Sequence, residues 1–167
     1  MLPTVNAIWI GPELGQIHAA CLRSFRRQGH RVVLHCYRRP ADTPADVETS
    51  DAAGLLPEDR IIRYRGNGSY ALFSNLLRYE VLKAGLGLYV DCDMFCLRPI
   101  QDADYIFGYE GIFRGSISNA VLKLPSDSPT LAALARSRTR PASFPLGMQT
   151  AARQSGAGSG CAAPRRQ

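Results

Sequence analysis

The chain predicts an α/β fold, a sheet layered between helices. Three observations carry that prediction. The opening 37 residues read as strand, helix, strand. A helical apolar stripe over 72–82 leads through Gly85 into a short apolar strand at 86–90. Two further strand-like segments, 105–109 and 117–124, then precede a short helix.

Taken in order, 5–10 (Val-Asn-Ala-Ile-Trp-Ile) is an apolar strand closed by Gly11 and Pro12. Residues 14–28 form a helix, with Leu14, Ile17, Cys21, Leu22 and Phe25 expected inward and Arg23, Arg26 and Arg27 outward. Gly29 ends it. Residues 31–37 form the second strand, and a β-α-β opening implies a parallel pair with a right-handed crossover. Residues 38–59, rich in Pro, Asp, Ala and Thr, read as an irregular connection, and 60–64 as a short strand. Gly66, Asn67 and Gly68 make a turn.

Leu72, Phe73, Leu76, Leu77, Val81 and Leu82 then fall at helical spacing, with Ser69 and Ser74 offering capping hydroxyls and Gly85 a stop. The strand that follows ends at Asp91-Cys92-Asp93. Asp102-Ala103-Asp104 reads as a solvated turn, and Ser128-Pro129 opens a helix through about residue 135.

The 167 residues suffice for one domain with a substantial core. The net charge of +6 is a property of one end. After Asp127 there are six arginines (Arg136, Arg138, Arg140, Arg153, Arg165 and Arg166) and no acidic residue. Taking those six from 20 basic residues leaves 14, matching the 14 acidic ones. A neutral body gives no reason to expect nucleic acid as a partner.

Five scattered cysteines without zinc spacing read as reduced thiols in a cytoplasmic protein. No leader-like start and no ~20-residue apolar run is present, so no membrane span is expected.

Alternation along a strand sends residues two apart to one side. Asp91 and Asp93 are therefore expected to converge. Two close carboxylates repel unless a cation or proton lies between them, and hard cations such as magnesium or manganese take oxygen ligands while leaving positions for phosphate oxygens. The expected site is thus a metal–diphosphate centre at the carboxyl end of a strand, where α/β sheets bind ligands. Trp9, at the end of the first strand, should share that rim. Its indole could stack on a nucleobase or serve as core. Arg78, one turn after Asn75, could hold a phosphate or sugar oxygen or pair with Asp91. Tyr89 shares the strand face of Asp91 and could touch a ligand or pack.

Ser74-Asn75-x-x-Arg78-Tyr79, the glycine pair Gly85 and Gly87, and Leu88-Tyr89-Val90-Asp91-Cys92-Asp93 together resemble the sugar-nucleotide site of the family 32 glycosyltransferases that carry an Asp-x-Asp motif. The likeness spans about residues 5–125, tightest in the centre. It implies a nucleotide-diphospho-sugar transferase (GT-A, Rossmann-like) sheet flanked by helices. It also implies a manganese or magnesium cofactor, a nucleotide-sugar donor, a glycan or other acceptor, and transfer with retention. By resemblance Asp93 and Asp91 hold the metal, and Arg78 joins them in catalysis. Trp9, Asn75, Arg78, Tyr89 and Asn119 bind substrate. Asn75 stands where the family has Asp, which exchanges an acceptor oxygen for an amide donor.

The expected domain covers 1–135, leaving 136–167 as a basic, low-complexity tail without a fixed fold. The family usually carries further residues there, so the expectation is a member incomplete or frame-altered at that end. Two other readings stand beside the enzyme: a sugar-nucleotide-binding remnant without turnover, and a haloacid-dehalogenase-type phosphatase with Asp91 as nucleophile and Asp93 as acid/base.

Overall fold

A computed structural model of the chain describes residues 1–64, 68–109, 117–137 and 148–150. Strand β1 (Val5–Ile8) is buried throughout, as is β2 (Val32–Cys36). They pair in parallel from Val5↔Val32 to Ile8↔His35, across helix α1 (Gly15–Arg27). Such continuous apolar runs suit strands covered on both faces.

The first helix starts at a carboxylate borrowed from the next loop. Asp42 Oδ1 accepts from Leu14 N at 2.6 Å and Oδ2 from Gly15 N at 2.7 Å. These bonds satisfy two otherwise orphaned donors and hold Asp42 below the usual carboxylate range. Gly29, at φ +86°, ends the helix as expected. Ile17 does not face inward as expected. It is 74% exposed, and His18 packs against the Trp9 ring, with centroids 4.6 Å apart.

The stretch 38–59 holds one strand after all. β3 (Glu48–Asp51) pairs in parallel with β2, then two single 3-10 turns follow at Ala52–Gly54 and Glu58–Arg60. Its Glu-Thr-Ser-Asp sequence carries no apolar signal because it is the exposed edge of the sheet, joined by backbone bonds.

After β4 (Ile62–Tyr64) come α2 (Ala71–Lys83), β5 (Leu88–Val90), β6 (Ile106–Tyr109), β7 (Ile117–Lys123) and α3 (Pro129–Ser137). Ser69 Oγ accepts from Ala71 N at 3.2 Å, whereas Ser74 lies inside α2 and caps nothing. Gly66 and Asn67 of the expected turn lie outside the described residues. So does the expected tail, apart from residues 136 and 137, which end α3, and β8 (Met148–Thr150), which pairs antiparallel with β4. The Asp102–Asp104 turn is exposed, and Asp102 pairs with Lys123.

The main sheet has the order β3-β2-β1-β5-β7-β6. β5 runs parallel to β1, while β7 runs antiparallel to both β5 and β6. The result is a mixed α/β architecture, a mostly parallel six-stranded sheet between helices, compatible with a Rossmann-like arrangement. Val5, Ala7, Leu22, Phe25, Val32 and Leu34 make the core under α1. Ile8, Phe73, Leu77, Val81, Tyr89, Leu122 and Leu131 make the core under α2 and α3. The helical stripe read from the sequence is thus the face that seats α2 on the sheet.

The second core includes a polar pair between strands. His35 Nε2 donates to Asn6 Oδ1 at 2.9 Å, and Asn6 Nδ2 donates to Leu86 O at 2.9 Å. His35 is 3% exposed, and its Nδ1 is buried without a partner among the described residues. Burial lowers its pKa from 6.5 to about 4. The fold therefore binds His35 in the neutral form. Its contribution is complete above pH 6.5 and drains as pH falls toward 4, by up to about 1.4 kcal/mol per pH unit. Urea unfolding at pH 7.5, 6 and 5 is expected to show this slope, and the slope should flatten in His35→Gln.

The described cysteines Cys21, Cys36, Cys92 and Cys96 are free, buried thiols. Among the described residues, no helix is long and apolar enough to cross a membrane.

Candidate functional site

β1 and β5 are parallel neighbours from which the sheet grows in opposite directions, β2 and β3 to one side, β7 and β6 to the other. Their carboxyl ends meet at the reversal of strand order, where open α/β sheets leave a crevice. The register Asn6↔Tyr89 sets the end of β1 level with Asp91. Cys92 Sγ donates to Ile8 O at 3.3 Å and ties the two ends together. Trp9 and Asp91 therefore share one rim, as expected.

Asp91 is anchored before its side chain does anything. Its N–H donates to Ala120 O at 2.8 Å, and its own carbonyl accepts from Met94 N at 3.1 Å. The strand ends at Val90 and 91–94 turns. Strand alternation therefore does not by itself set where the two side chains point, since the strand ends before Asp91. Asp91 faces α2. Asp93 is exposed and, among the described residues, makes no hydrogen bond or ion pair. Burial, and after it the charge of Asp93, raise the Cys21 thiol.

Around Asp91 the structure builds a hydrogen-bonded network. Arg78 Nη2 donates to Asp91 Oδ1 at 2.6 Å, and Tyr89 Oη donates to the same oxygen at 2.7 Å. The guanidinium lies over the Tyr89 ring, 4.4 Å from its centroid. Arg78 is only 3% exposed. The flanking apolar positions Leu77 and Val81 draw α2 onto the sheet and carry Arg78 inside with it. A cation so buried requires a counter-charge, and Asp91 supplies it.

Arg78 Nη1 donates to Asn75 Oδ1 at 3.0 Å, one helical turn away. Asn119 Nδ2 donates to that oxygen at 3.1 Å. Asn119 reaches it because the pairing of β7 with β6 slips between Phe107 and Gly108, from Leu122 to Ser118. Bulges of this kind redirect side chains next to sites.

Tyr89 and Arg78, both expected at the site, are buried. Tyr89 is 2% exposed, and its hydroxyl is engaged by Asp91. Burial raises its phenol pKa, with Asp91 adding to the shift and Arg78 opposing it, so it remains a proton donor. Arg78 lies inside with Nη1 on Asn75 and Nη2 on Asp91, and its buried Nε has no partner among the described residues. Nothing in the residue pattern gave away the slip in β7. The i,i+2 spacing of Tyr89 and Asp91, by contrast, did announce their shared face.

Trp9 is half-buried, packs on the core under α1, and donates from Nε1 to Glu13 O at 2.9 Å. It stands on the α1 side of the rim, while Asp91, Asn75 and Asn119 are linked on the α2 side.

Among the described residues, no cluster of three or more His, Cys, Asp or Glu could hold a metal. The rim offers a carboxylate pair instead. Asp93 is free, and Asp91 Oδ2 has no bond among the described residues. One or two carboxylates completed by phosphate oxygens and water are the usual donor set for magnesium or manganese at a nucleotide. Carboxylate oxygens at the rim, on Asp93 and Asp91, are thus without a protein partner among the described residues.

No model of a known protein family matches this chain, and no curated protein matches it.

Proposed function

We propose that the chain is a glycosyltransferase domain that moves a sugar from a nucleotide-diphosphate sugar to a glycan or other acceptor. The proposal includes dependence on manganese or magnesium and retention of anomeric configuration. One observation carries it: the Asp-x-Asp pair lies at the carboxyl rim where β1 and β5 part, with Asp91 held in a single pose by a buried arginine.

In this reading Asp93, with the open oxygen of Asp91, holds the cation against the diphosphate. The chemistry such an ion supplies is neutralisation of the charge left on the diphosphate as the anomeric bond breaks. Arg78 and Tyr89 fix the Asp91 carboxylate, so it does not need to reorganise when the ligand arrives. Trp9 offers its exposed edge to the nucleobase. Asn75 and Asn119 face the sugar.

A second reading is favoured by one feature. The charge of Asp91 is already compensated by Arg78, which leaves Asp93 as the single uncompensated carboxylate of the pair. A site of that kind binds a sugar nucleotide without turning it over.

Thermal shift of the full chain with uridine and guanosine diphosphate sugars, with and without manganese, tests the proposal. A ligand at 100 times its Kd stabilises by about 2.7 kcal/mol. We expect one nucleotide class to raise Tm only with manganese, and Asp93→Ala to remove that manganese requirement together with the shift. Release of free nucleotide diphosphate in the same sample separates the enzyme from the binding remnant. No shift with any sugar nucleotide overturns both.

A further inference from the structure

Arg78 has only donors, so the Asn75 atom that meets its Nη1 at 3.0 Å must be the amide oxygen. Asn119 Nδ2 meets the same atom at 3.1 Å. The Asn75 oxygen is therefore fully occupied by protein, and its orientation is not free to flip. What Asn75 has left is its NH2. That group has no partner among the described residues and belongs to a half-buried side chain beside Asp91, at the rim.

We propose that Asn75 selects donor sugars bearing an acceptor-only oxygen, the carbonyl of an acetamido group or the carboxylate of a uronate. The inference rests on the glycosyltransferase reading above and names the substrate class of that site. A carbonyl or carboxylate oxygen can pair with an N–H donor and cannot pair with a carboxylate. A sugar hydroxyl can pair with either, so an amide at this position gains most from the acceptor-only group. A lone polar contact left unmatched in such a site is what gives selectivity. The neutral amide also leaves Arg78 and Asp91 as a balanced pair, so a uronate meets no second fixed carboxylate beside Asp91.

Asn75→Asp is the discriminating variant. Its carboxylate accepts from Arg78 and Asn119 as the amide oxygen does, so both bonds are kept, while the outward atom changes from donor to acceptor and one negative charge is added, which leaves the neutral acetamido arm as the one that reads the donor alone. Binding is read by calorimetry with manganese, using matched ligands on one nucleotide: diphosphate-glucose, diphosphate-N-acetylglucosamine and diphosphate-glucuronate. We expect the wild-type chain to favour one of the latter two over glucose by about tenfold, and Asn75→Asp to lose or reverse that preference. The acetamido and uronate arms identify which oxygen is read. Equal ratios in the two proteins, or wild-type preference for glucose, overturn the inference while leaving the glycosyltransferase reading intact. Binding of none of the three, on either uridine or guanosine diphosphate, overturns both. The unliganded Tm of Asn75→Asp reports its fold; should that variant melt early, the wild-type preference alone decides.

Discussion

Asp91→Ala is expected to cost the fold about 3 kcal/mol, and Asp93→Ala less than about 0.5 kcal/mol. The two acids of one motif are separated by their surroundings. Asp91 is the counter-charge of Arg78, whose side chain is 4% exposed, and it is also the acceptor of the buried Tyr89 hydroxyl. Removing it strands a cation and a phenol in the interior. Asp93 stands in water and makes no bond among the described residues, so its loss leaves nothing buried unmatched. Urea unfolding of both variants checks the contrast. The Arg78→Met, Asp91→Ala double variant should recover much of the loss, because apolar replacement of a whole buried pair is often nearly neutral. Equal costs for the two aspartates would contradict the structure. So would a double variant no better than Asp91→Ala alone. The function test then gains a clean design: Asp93→Ala probes the cation with the fold intact, and Asp91→Ala does not.

The second large effect belongs to Gly87. A Cβ there would lie 2.5 Å from the backbone oxygen of Thr4, at a φ of +118°. That oxygen already accepts from Leu88 N at 2.9 Å and helps hold β5 against β1. Backbone on both sides of the clash cannot yield as a side chain could. Gly87→Ala is expected to lower stability by about 3 kcal/mol or more, roughly 10 °C in Tm for a chain of this size. Gly85 is the internal control. It also has positive φ, +65°, but its Cβ would meet nothing within 4 Å. Gly85→Ala should cost only about 1 kcal/mol, the strain of the left-handed conformation. Differential scanning calorimetry of the two variants decides the matter. A Gly87→Ala loss no larger than that of Gly85→Ala would mean that β1 and β5 are not so closely apposed. The rim that brings Trp9 level with Asp91 depends on that apposition.

Much of the frame was legible because it follows from local periodicity. The stripe from Leu72 to Leu82 has one wavelength, and the buried face of α2 has the same one. β1, β2 and β5 are mostly apolar runs and could be read as covered strands. β3 could not, since Glu48, Thr49, Ser50 and Asp51 join the sheet through backbone bonds and leave their side chains in water. The inward position assigned to Ile17 went instead to His18, because the Trp9 ring offers a flat partner there. Arg78 looks polar in the sequence and is among the most buried residues, a placement that depends on Asp91 lying 13 positions further on.

Hydrophobic spacing alone settled that this chain makes a layered α/β domain and that two aspartates follow a central strand, since burial of apolar faces is a near-neighbour property of helices and strands. Which way each aspartate turns was decided by partners distant in the chain. Ala120 of β7 captures the Asp91 amide, the chain turns there, and Arg78 draws one carboxylate inward while the other is left in water. Long-range backbone bonds and charge compensation leave no periodic trace, so that division of labour emerges only when the sheet is assembled.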